Sequence, residues 1–284
     1  MNHRDRLLLI GYPVRHSLSP IIQNAALDAA GIALRYETLD VPPEGLAATL
    51  KELASINSAG NITSPHKLAA MGSMSAVSAS AAGTGVVNTF WSDMDGHMAG
   101  DNTDVAGFDY LARQTLGEIP RDCRVAVLGS GGGAAAVLAA VQGWAGCTAT
   151  VHARSPERAG TLSGRFSGFA RAGTMSDAAI STADIVVNAT PIGLFDDAKP
   201  VDLARLSRNA AIIDLVYGPD ETAWVRNARA SGHRTSDGLS MLVRQGALAF
   251  RKWFDVDPDE EAMWAAVLKE TGRRNFPGGT LPPG

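Results

Sequence analysis

A short apolar run that ends in glycine and passes straight into a small-residue helix is where this chain's residue types first imply chemistry. It reads Cys123-Arg-Val-Ala-Val-Leu-Gly129-Ser-Gly-Gly-Gly-Ala134 and stays apolar to Val141, the pattern of strand, tight turn and helix. Glycines at such a turn let backbone N–H groups approach a diphosphate, and the first turn of the helix receives its charge. Gly129, Ser130, Gly131, Gly132, Gly133 and Ala134 are therefore expected to hold a dinucleotide. About twenty residues further on, where an acidic side chain would bind the ribose of NAD, the chain has His152-Ala-Arg154-Ser155. Arg154, with Ser155 and Arg158 beside it, suits a 2'-phosphate and predicts NADP. The alternative for the arginines is a solvated basic edge, and a glycine triplet without these flanks could be a structural turn alone.

A second set of polar groups stands beside glycine and proline at the ends of apolar runs in the first third of the chain. Ser17 and Ser19 lie in His16-Ser-Leu-Ser-Pro20, and Asn61, Thr63 and Lys67 in Asn61-Ile-Thr-Ser-Pro-His-Lys67. Strand ends are where α/β proteins present ligand-binding groups. The two serines have the spacing to aim both hydroxyls at one carboxylate, although either one is equally placed to cap the helix that follows. Lys67 is the cation of this set besides His66, and taken alone it reads as well as a surface lysine. Asp104, in Gly100-Asp-Asn-Thr-Asp104, lies at the hinge between two expected domains, within reach of Lys67. The pair would offer a proton donor and an orienting charge beside a substrate hydroxyl.

These groups need elements to position them. Leu7–Ile10, Pro20–Ala30 and Arg35–Val41 read as strand, helix and strand, with Gly31 closing the helix. A helix over Gly45–Ser55, a strand end at Gly60–Thr63, a strand over Val86–Trp91 and a turn at Asp93–Gly96 follow. Phe108, Leu111, Ala112, Thr115 and Leu116 have helical spacing and carry the chain between domains. Strands are expected near Arg124–Leu128, Thr148–His152, Ile185–Asn188 and Ala211–Leu215, with a fifth near His233–Thr235. Their nearly unbroken apolar character fits a parallel sheet covered on both faces. Helices over Ser240–Trp253 and Glu260–Lys269 close the pattern. The fold class is thus α/β, with an N-terminal α/β substrate domain at 1–104 and a Rossmann-type dinucleotide domain at 105–237. Helices at 238–270 are expected to return to the first domain, and the glycine- and proline-rich 271–284 to form a flexible tail.

Composition narrows the function classes. With 45% hydrophobic and 19% charged residues and a formal net charge of −4 over 284 residues, the chain can bury two cores and carries no global attraction for nucleic acid or anionic membrane. No apolar run approaches the roughly 18 residues of a membrane span, and Leu7–Ile10 stops too soon for a secretion signal. The cytoplasm is the expected location. Two cysteines make no secreted disulfide framework, so Cys123 and Cys147 are expected to be buried free thiols. The six histidines are scattered, paired cysteine spacing and His-Glu-x-x-His are lacking, and no metal is expected. The serine-hydrolase elbow is also absent.

These motifs converge, and the chain resembles the shikimate dehydrogenase family up to about Ala266. The blocks that carry the resemblance are Gly11-Tyr-Pro-Val-Arg-His-Ser-Leu-Ser-Pro20, Asn61-Ile-Thr-Ser-Pro-His-Lys67, Val87-Asn88-Thr89, Gly100-Asp-Asn-Thr-Asp104, Gly129-Ser-Gly-Gly-Gly-Ala134, Asn188-Ala-Thr-Pro-Ile-Gly193, Asp214-Leu-Val-Tyr217 and Gln245-Gly246. The resemblance implies reversible reduction of 3-dehydroshikimate to shikimate with NADPH, on the route to chorismate and the aromatic amino acids. It implies Ser17 and Ser19 on the substrate carboxylate, and Asn61, Thr63, Asn88, Asp104 and Gln245 on its hydroxyls and ring. Tyr217 would line the site, Lys67 would pass the proton, and Asp104 would fix Lys67. Thr190, Leu215 and Gly238 would join the glycine turn, Arg154, Ser155 and Arg158 around NADP. The expected partner is the small-molecule substrate, with the protein a monomer or homodimer.

The chain departs from the family pattern at Ala153-Arg154-Ser155, where Asn-Arg-Thr is usual, and at Ser64, where an aliphatic residue is common. The first keeps the charge and loses an amide. A relative acting on quinate or an aminoshikimate is the near alternative, and two serines at the carboxylate favour shikimate over quinate with its extra hydroxyl. A non-catalytic metabolite sensor and a folate-linked dehydrogenase are the alternatives of other classes. A sensor has no need of Lys67 and Asp104, and a folate enzyme gives no reason for the paired serines.

Overall fold

The computed structural model describes residues 3–93 and 95–273, and the chain divides into two compact units. The first comprises Met1–Asp104 and Leu242–Glu270, the second Val105–Met241 and Thr271–Gly284. Both are α/β units, so the fold class is two-domain α/β with a Rossmann-like second domain.

In the first unit, β1 (Arg6–Gly11), α1 (Ser19–Ala29) and β2 (Tyr36–Asp40) form a β-α-β start. They are followed by α2 (Leu46–Ala54), β3 (Ser58–Ile62), β4 (Ala76–Val77), α3 (Ala79–Thr84), β5 (Thr89–Ser92) and β6 (Met98–Asp101). The sheet order is β2-β1-β3-β5-β6-β4. β1 is parallel to both β2 and β3, whereas β5 runs antiparallel to β3 and β6. Leu7, Leu8, Leu9 and Ile10 are all buried, because β1 lies between two strands and needs an apolar cover on each face. One face packs Leu8 and Ile10 against Leu46, Leu50 and Leu53 of α2, together with Ile62 and Phe90. Gly60 is required in β3, since an added Cβ would lie 2.0 Å from the Leu8 carbonyl oxygen.

The second unit contains β7 (Arg124–Leu128), α5 (Gly132–Gln142), β8 (Thr148–His152), α6 (Pro156–Arg165), β9 (Ala170–Gly173) and β10 (Ile185–Asn188). It continues through β11 (Ala211–Asp214), α7 (Ala223–Ala230) and β12 (Thr235–Ser236). Every strand pair is parallel, in the order β12-β11-β10-β7-β8-β9. The order reverses between β7 and β10, which is where doubly wound sheets bind ligands. Three further helices are found among the described residues: α4 (Asp104–Leu116) and α8 (Leu239–Phe254), which cross the boundary between units, and α9 (Glu260–Thr271).

Three sequence expectations are corrected. The strand expected from Val86 begins at Thr89, because the Val86 and Val87 N–H groups bond the Ala81 and Lys67 carbonyls rather than a neighbouring strand. The expected tail at 271–284 begins inside α9, Arg273 is anchored, and 274–284 lie outside the described residues. Cys123 and Cys147 are not free thiols but a disulfide, with Cα atoms 4.4 Å apart. The register explains the pairing: Arg124 faces Thr148 across β7 and β8, so the residues just before them also face each other. Among the described residues, no helix is long and apolar enough to cross a membrane.

The bridge closes a loop with a sequence separation of 24, which predicts about 3 kcal/mol of stabilisation from restricting the unfolded chain. C123S/C147S should therefore show a lower urea midpoint than the oxidised protein, and adding reductant should shift only the parent. Coincident midpoints would exclude a stabilising bridge.

Candidate active site

Parallel strands β1 and β3 end side by side, with Ile10 opposite Ile62, so the serine loop and the Asn61–Lys67 loop leave the same sheet edge. Gly11 permits their contact. An added Cβ there would lie 2.5 Å from the Thr63 methyl, and Tyr12 N–H bonds the Ser64 carbonyl at 3.1 Å. Ser17 Oγ accepts the Ser19 N–H at 3.2 Å, so Ser17 serves the start of α1 locally while keeping its own O–H to donate. Ser19 is the first residue of α1 and is buried.

Asn61, on β3, is buried with both ends of its amide engaged. Tyr36 O–H donates to its Oδ1 at 2.8 Å, and its Nδ2 donates to the Asn88 carbonyl at 3.1 Å. A carbonyl only accepts, so this contact fixes the amide's orientation and leaves one N–H for a ligand. His66 is tied to the fold. It is buried, with Nε2 donating to the Val41 carbonyl at 2.6 Å.

Lys67 Nζ lies 2.6 Å from Asp104 Oδ2, with side-chain exposures of 20% and 5%. Asp104 opens α4, where the helix dipole favours a carboxylate. Its other oxygen accepts from Asn88 Nδ2 at 2.9 Å. Asn88 Nδ2 also reaches Gln245 Oε1 at 3.2 Å and Thr103 Oγ1 at 2.9 Å, while its Oδ1 accepts the Thr103 N–H at 2.8 Å. Gln245 Nε2 donates to the Leu242 carbonyl at 2.8 Å, leaving it one further N–H. Hydrogen bonds thus bring Lys67, Asp104, Asn88, Asn61 and Gln245 together. Ser17, Ser19 and Thr63 share the sheet edge by way of the backbone, without a direct bond to that network among the described residues.

In the second unit, Gly129 follows β7 at φ +120°, and an added Cβ would lie 2.7 Å from the Ala189 carbonyl oxygen. The turn therefore needs glycine both for its conformation and for its approach to the loop after β10. No side chain caps α5 at Gly131, and an added Cβ there would meet open space. Uncapped N–H groups at a helix start, beside open space, fit a diphosphate. Arg154 is exposed beyond β8. Ser155 caps α6 by accepting the Arg158 N–H at 3.2 Å, so its oxygen is partly committed to the fold. Thr190 Oγ1 donates to Asn188 Oδ1 at 2.6 Å and accepts from Ile192 N–H at 3.2 Å. Leu215 and Gly238 press backbone to backbone, with an added Cβ on Gly238 2.2 Å from the Leu215 carbonyl oxygen. Tyr217 lines an open cavity of about 440 Å³ with Gly193, Phe195 and Thr222.

Three buried ionisable groups were not expected from the sequence. His152 ends β8, and its Nδ1 donates to the Thr174 carbonyl at 2.8 Å. Burial pushes its pKa down, which keeps the ring neutral. Asp237 is pushed up by burial, against the opposing charge and hydrogen bond of Arg273. Asp214 ends β11 and accepts from Asn188 Nδ2 at 2.8 Å, Val216 N–H at 3.0 Å and Thr222 O–H at 2.8 Å. Burial outweighs these donors and raises its pKa from the ordinary 3.8 to about 6. The only sequence signal for Asp214 was its place in the block that ends at Tyr217.

The chain matches known proteins along most of its length. Residues 9–90 match the family model for the shikimate dehydrogenase substrate binding domain, and residues 238–268 that for the Shikimate 5'-dehydrogenase C-terminal domain. Shikimate dehydrogenase (NADP(+)) from Bacillus licheniformis is 34% identical over 272 residues, covering 94% of this chain and 98% of the relative. The crystal structure of shikimate 5-dehydrogenase from Thermus thermophilus in complex with NADP(H) and shikimate aligns with a TM-score of 0.82 at 38% identity. That alignment covers 93% of this chain and 98% of the other. Quinate dehydrogenase from Corynebacterium glutamicum in complex with NAD also aligns with a TM-score of 0.82, at 30% identity over 94% of this chain and all of that one (100%).

The raised pKa of Asp214 has a definite sign in stability. Its folded pKa lies above its unfolded value, so the folded state holds the proton more tightly, and stability falls as pH rises from about 4 to about 6. Relative to D214N, the parent should lose up to about 3 kcal/mol across that window and nothing further above it. Urea unfolding of both proteins from pH 4 to 7.5 measures this. A pH-independent difference would mean that the carboxylate does not titrate there.

Proposed function

Because the chain belongs to the shikimate dehydrogenase family, we propose that it reversibly reduces 3-dehydroshikimate to shikimate, with Lys67 passing the proton and Asp104 holding Lys67 in place. It is an NADP-dependent oxidoreductase. The observation that carries the assignment of roles is the 2.6 Å Lys67–Asp104 pair, with the aspartate buried and bonded to Asn88.

NADPH, when bound, supplies the hydride that reduces the carbonyl carbon. The carbonyl's electron pair then moves onto oxygen, and the Lys67 ammonium donates the proton that completes the hydroxyl. The resulting neutral amine is reprotonated from water, which its 20% side-chain exposure permits. Asp104 accepts one ammonium N–H and so directs the others. A donor placed where oxyanion charge develops lowers the barrier most when little reorganisation remains. In this reading Ser17 and Ser19 hold the substrate carboxylate through their hydroxyls. Asn61 and Gln245 each offer the amide N–H that the surrounding hydrogen bonds leave over, and Thr63 and Asn88 complete the polar wall. Tyr217 borders the site. The glycine turn Gly129–Ala134 and the α5 N-terminus hold the diphosphate, Thr190, Leu215 and Gly238 border the cofactor, and Arg154, Ser155 and Arg158 take the 2'-phosphate.

Initial rates with shikimate, quinate and an aminoshikimate, each with NADP+ and NAD+, test the substrate. The highest kcat/KM should belong to shikimate with NADP+, and a larger value with quinate would overturn the choice. In K67A, kcat should fall by about 10²-fold or more while KM for NADP+ changes little. An unchanged kcat would remove Lys67 from proton transfer.

Loss of Arg154 has a separate signature. R154A should raise KM for NADP+ by about 10- to 100-fold, the equivalent of one charge-assisted contact, and leave KM for NAD+ near the parent value. Equal effects on the two cofactors would place the 2'-phosphate elsewhere.

A further inference from the structure

Arg273 follows α9 and lies past residue 268, where the match to the C-terminal family model ends. In the sequence it falls within the glycine- and proline-rich stretch 271–284 that is expected to form a flexible tail. In the structure its side chain is only 11% exposed, and every edge of its guanidinium is used. Nη1 donates to Asp237 Oδ2 at 2.5 Å, Nη2 to the Gly218 carbonyl at 2.8 Å, and Nε to the Pro219 carbonyl at 3.1 Å.

These partners belong to two turns of the second unit. One follows β11 and carries Leu215 and Tyr217, and the other precedes α8 and carries Gly238. The turns already touch: Gly238 N–H bonds the Val216 carbonyl at 3.2 Å, and Gly238 has no room for a Cβ against Leu215. Among the described residues, no main-chain hydrogen bond reaches the carbonyls of Gly218 and Pro219, and Arg273 fills both. Asp237 is fully buried, and its second oxygen accepts the Leu239 N–H at 3.1 Å as α8 begins. A planar fork serves a carboxylate and two carbonyls together, whereas a lysine ammonium is a point charge that does not match this geometry.

We infer that Arg273 is a positioning residue, which fastens the Val216–Pro219 turn to the Asp237–Gly238 turn and so sets the wall formed by Leu215, Tyr217 and Gly238. This rests on the proposed role of those three residues at the cofactor and substrate. Val216, Tyr217, Gly218 and Pro219 also line the 440 Å³ cavity, so a shift of the turn reshapes that cavity and moves Tyr217. Misplacing a binding surface by about an ångström costs on the order of 10²-fold in rate.

The test separates fastening from charge balance. R273M leaves the Asp237 carboxylate buried without its cation, which lowers stability for reasons unrelated to positioning. D237N/R273M removes that charge. Full-length parent, R273K, R273M and D237N/R273M are compared by thermal melting, by steady-state kinetics with shikimate and NADP+, and by calorimetric titration with NADP+. The double variant should melt close to the parent, yet keep kcat/KM for NADP+ at least about tenfold down and bind NADP+ more weakly, with R273K intermediate. If melting and kcat/KM both return to parent values, Arg273 merely balances Asp237 and the inference fails. An R273M protein that folds with parent kinetics overturns it as well. Should R273M not fold, the double variant alone decides. If the parent does not oxidise shikimate, the functional reading fails separately, and the NADP+ titrations still measure what Arg273 does for the wall.

Discussion

The buried amide of Asn88 is the constraint on which the polar network of the first unit depends. Its two amide protons are shared among Thr103 Oγ1, Asp104 Oδ1 and Gln245 Oε1, its side-chain oxygen accepts the N–H and O–H of Thr103, and its main-chain carbonyl receives Asn61. A buried amide left unpaired costs about 1–3 kcal/mol, so the start of α4, the face of α8 and the end of β3 must meet where Asn88 stands. The position of the Lys67 ammonium follows from this, because its partner Asp104 is held from the opposite side. A lysine side chain has several rotatable bonds, and it is the fixed carboxylate that selects one arrangement.

The second unit solves the same problem with a related device. Asn188 ends β10, donates to Asp214 at the end of β11, and accepts both the N–H and the O–H of Thr190. An asparagine at the edge of a parallel sheet offers a donor and acceptors in one plane, which ties together loops that carry no regular hydrogen bonding of their own. Asp214 is the cost of that arrangement. Its three donors do not compensate for complete burial, and its pKa rises accordingly. The carboxylate is kept because Val216 N–H and Thr222 O–H both point at it, and Val216 opens the turn that Arg273 fastens.

Much of this was legible in the sequence where the signal was local. The strands β1, β7, β8, β10 and β11 announce themselves as apolar runs, and Gly129 is readable because the backbone conformation and the close approach both demand glycine. The short strands β4, β6 and β9 were not legible, since two to four residues rich in alanine and glycine leave no periodicity to detect. The disulfide was missed because it depends on the register of two strands, which the spacing of Cys123 and Cys147 does not encode. That Ser155 also caps α6 was not legible, because its capping bond appears only once α6 is built. Lys67 and Asp104 were found as a pair, but the role of Asn88 in joining them to Gln245 needs contacts separated by 157 positions in the chain.

Burial also explains why two cations of the same sign suit different tasks. Lys67 is mostly buried beside an aspartate, so its charge is already compensated and its N–H donors are aimed. In such a partly desolvated setting, a small change in charge on a neighbouring oxygen is strongly felt. Arg154 is exposed beyond the end of β8, where among the described residues no carboxylate pairs with it and where a phosphate could exchange with water. Reversing the two would fail on both counts. An uncompensated buried lysine tends to shed its proton before any substrate arrives, and a guanidinium, charged at all working pH values, has no proton to give. The division of labour proposed here, a lysine for the proton and an arginine for the phosphate, is therefore the one that the chemistry of the two side chains and their observed burial both favour.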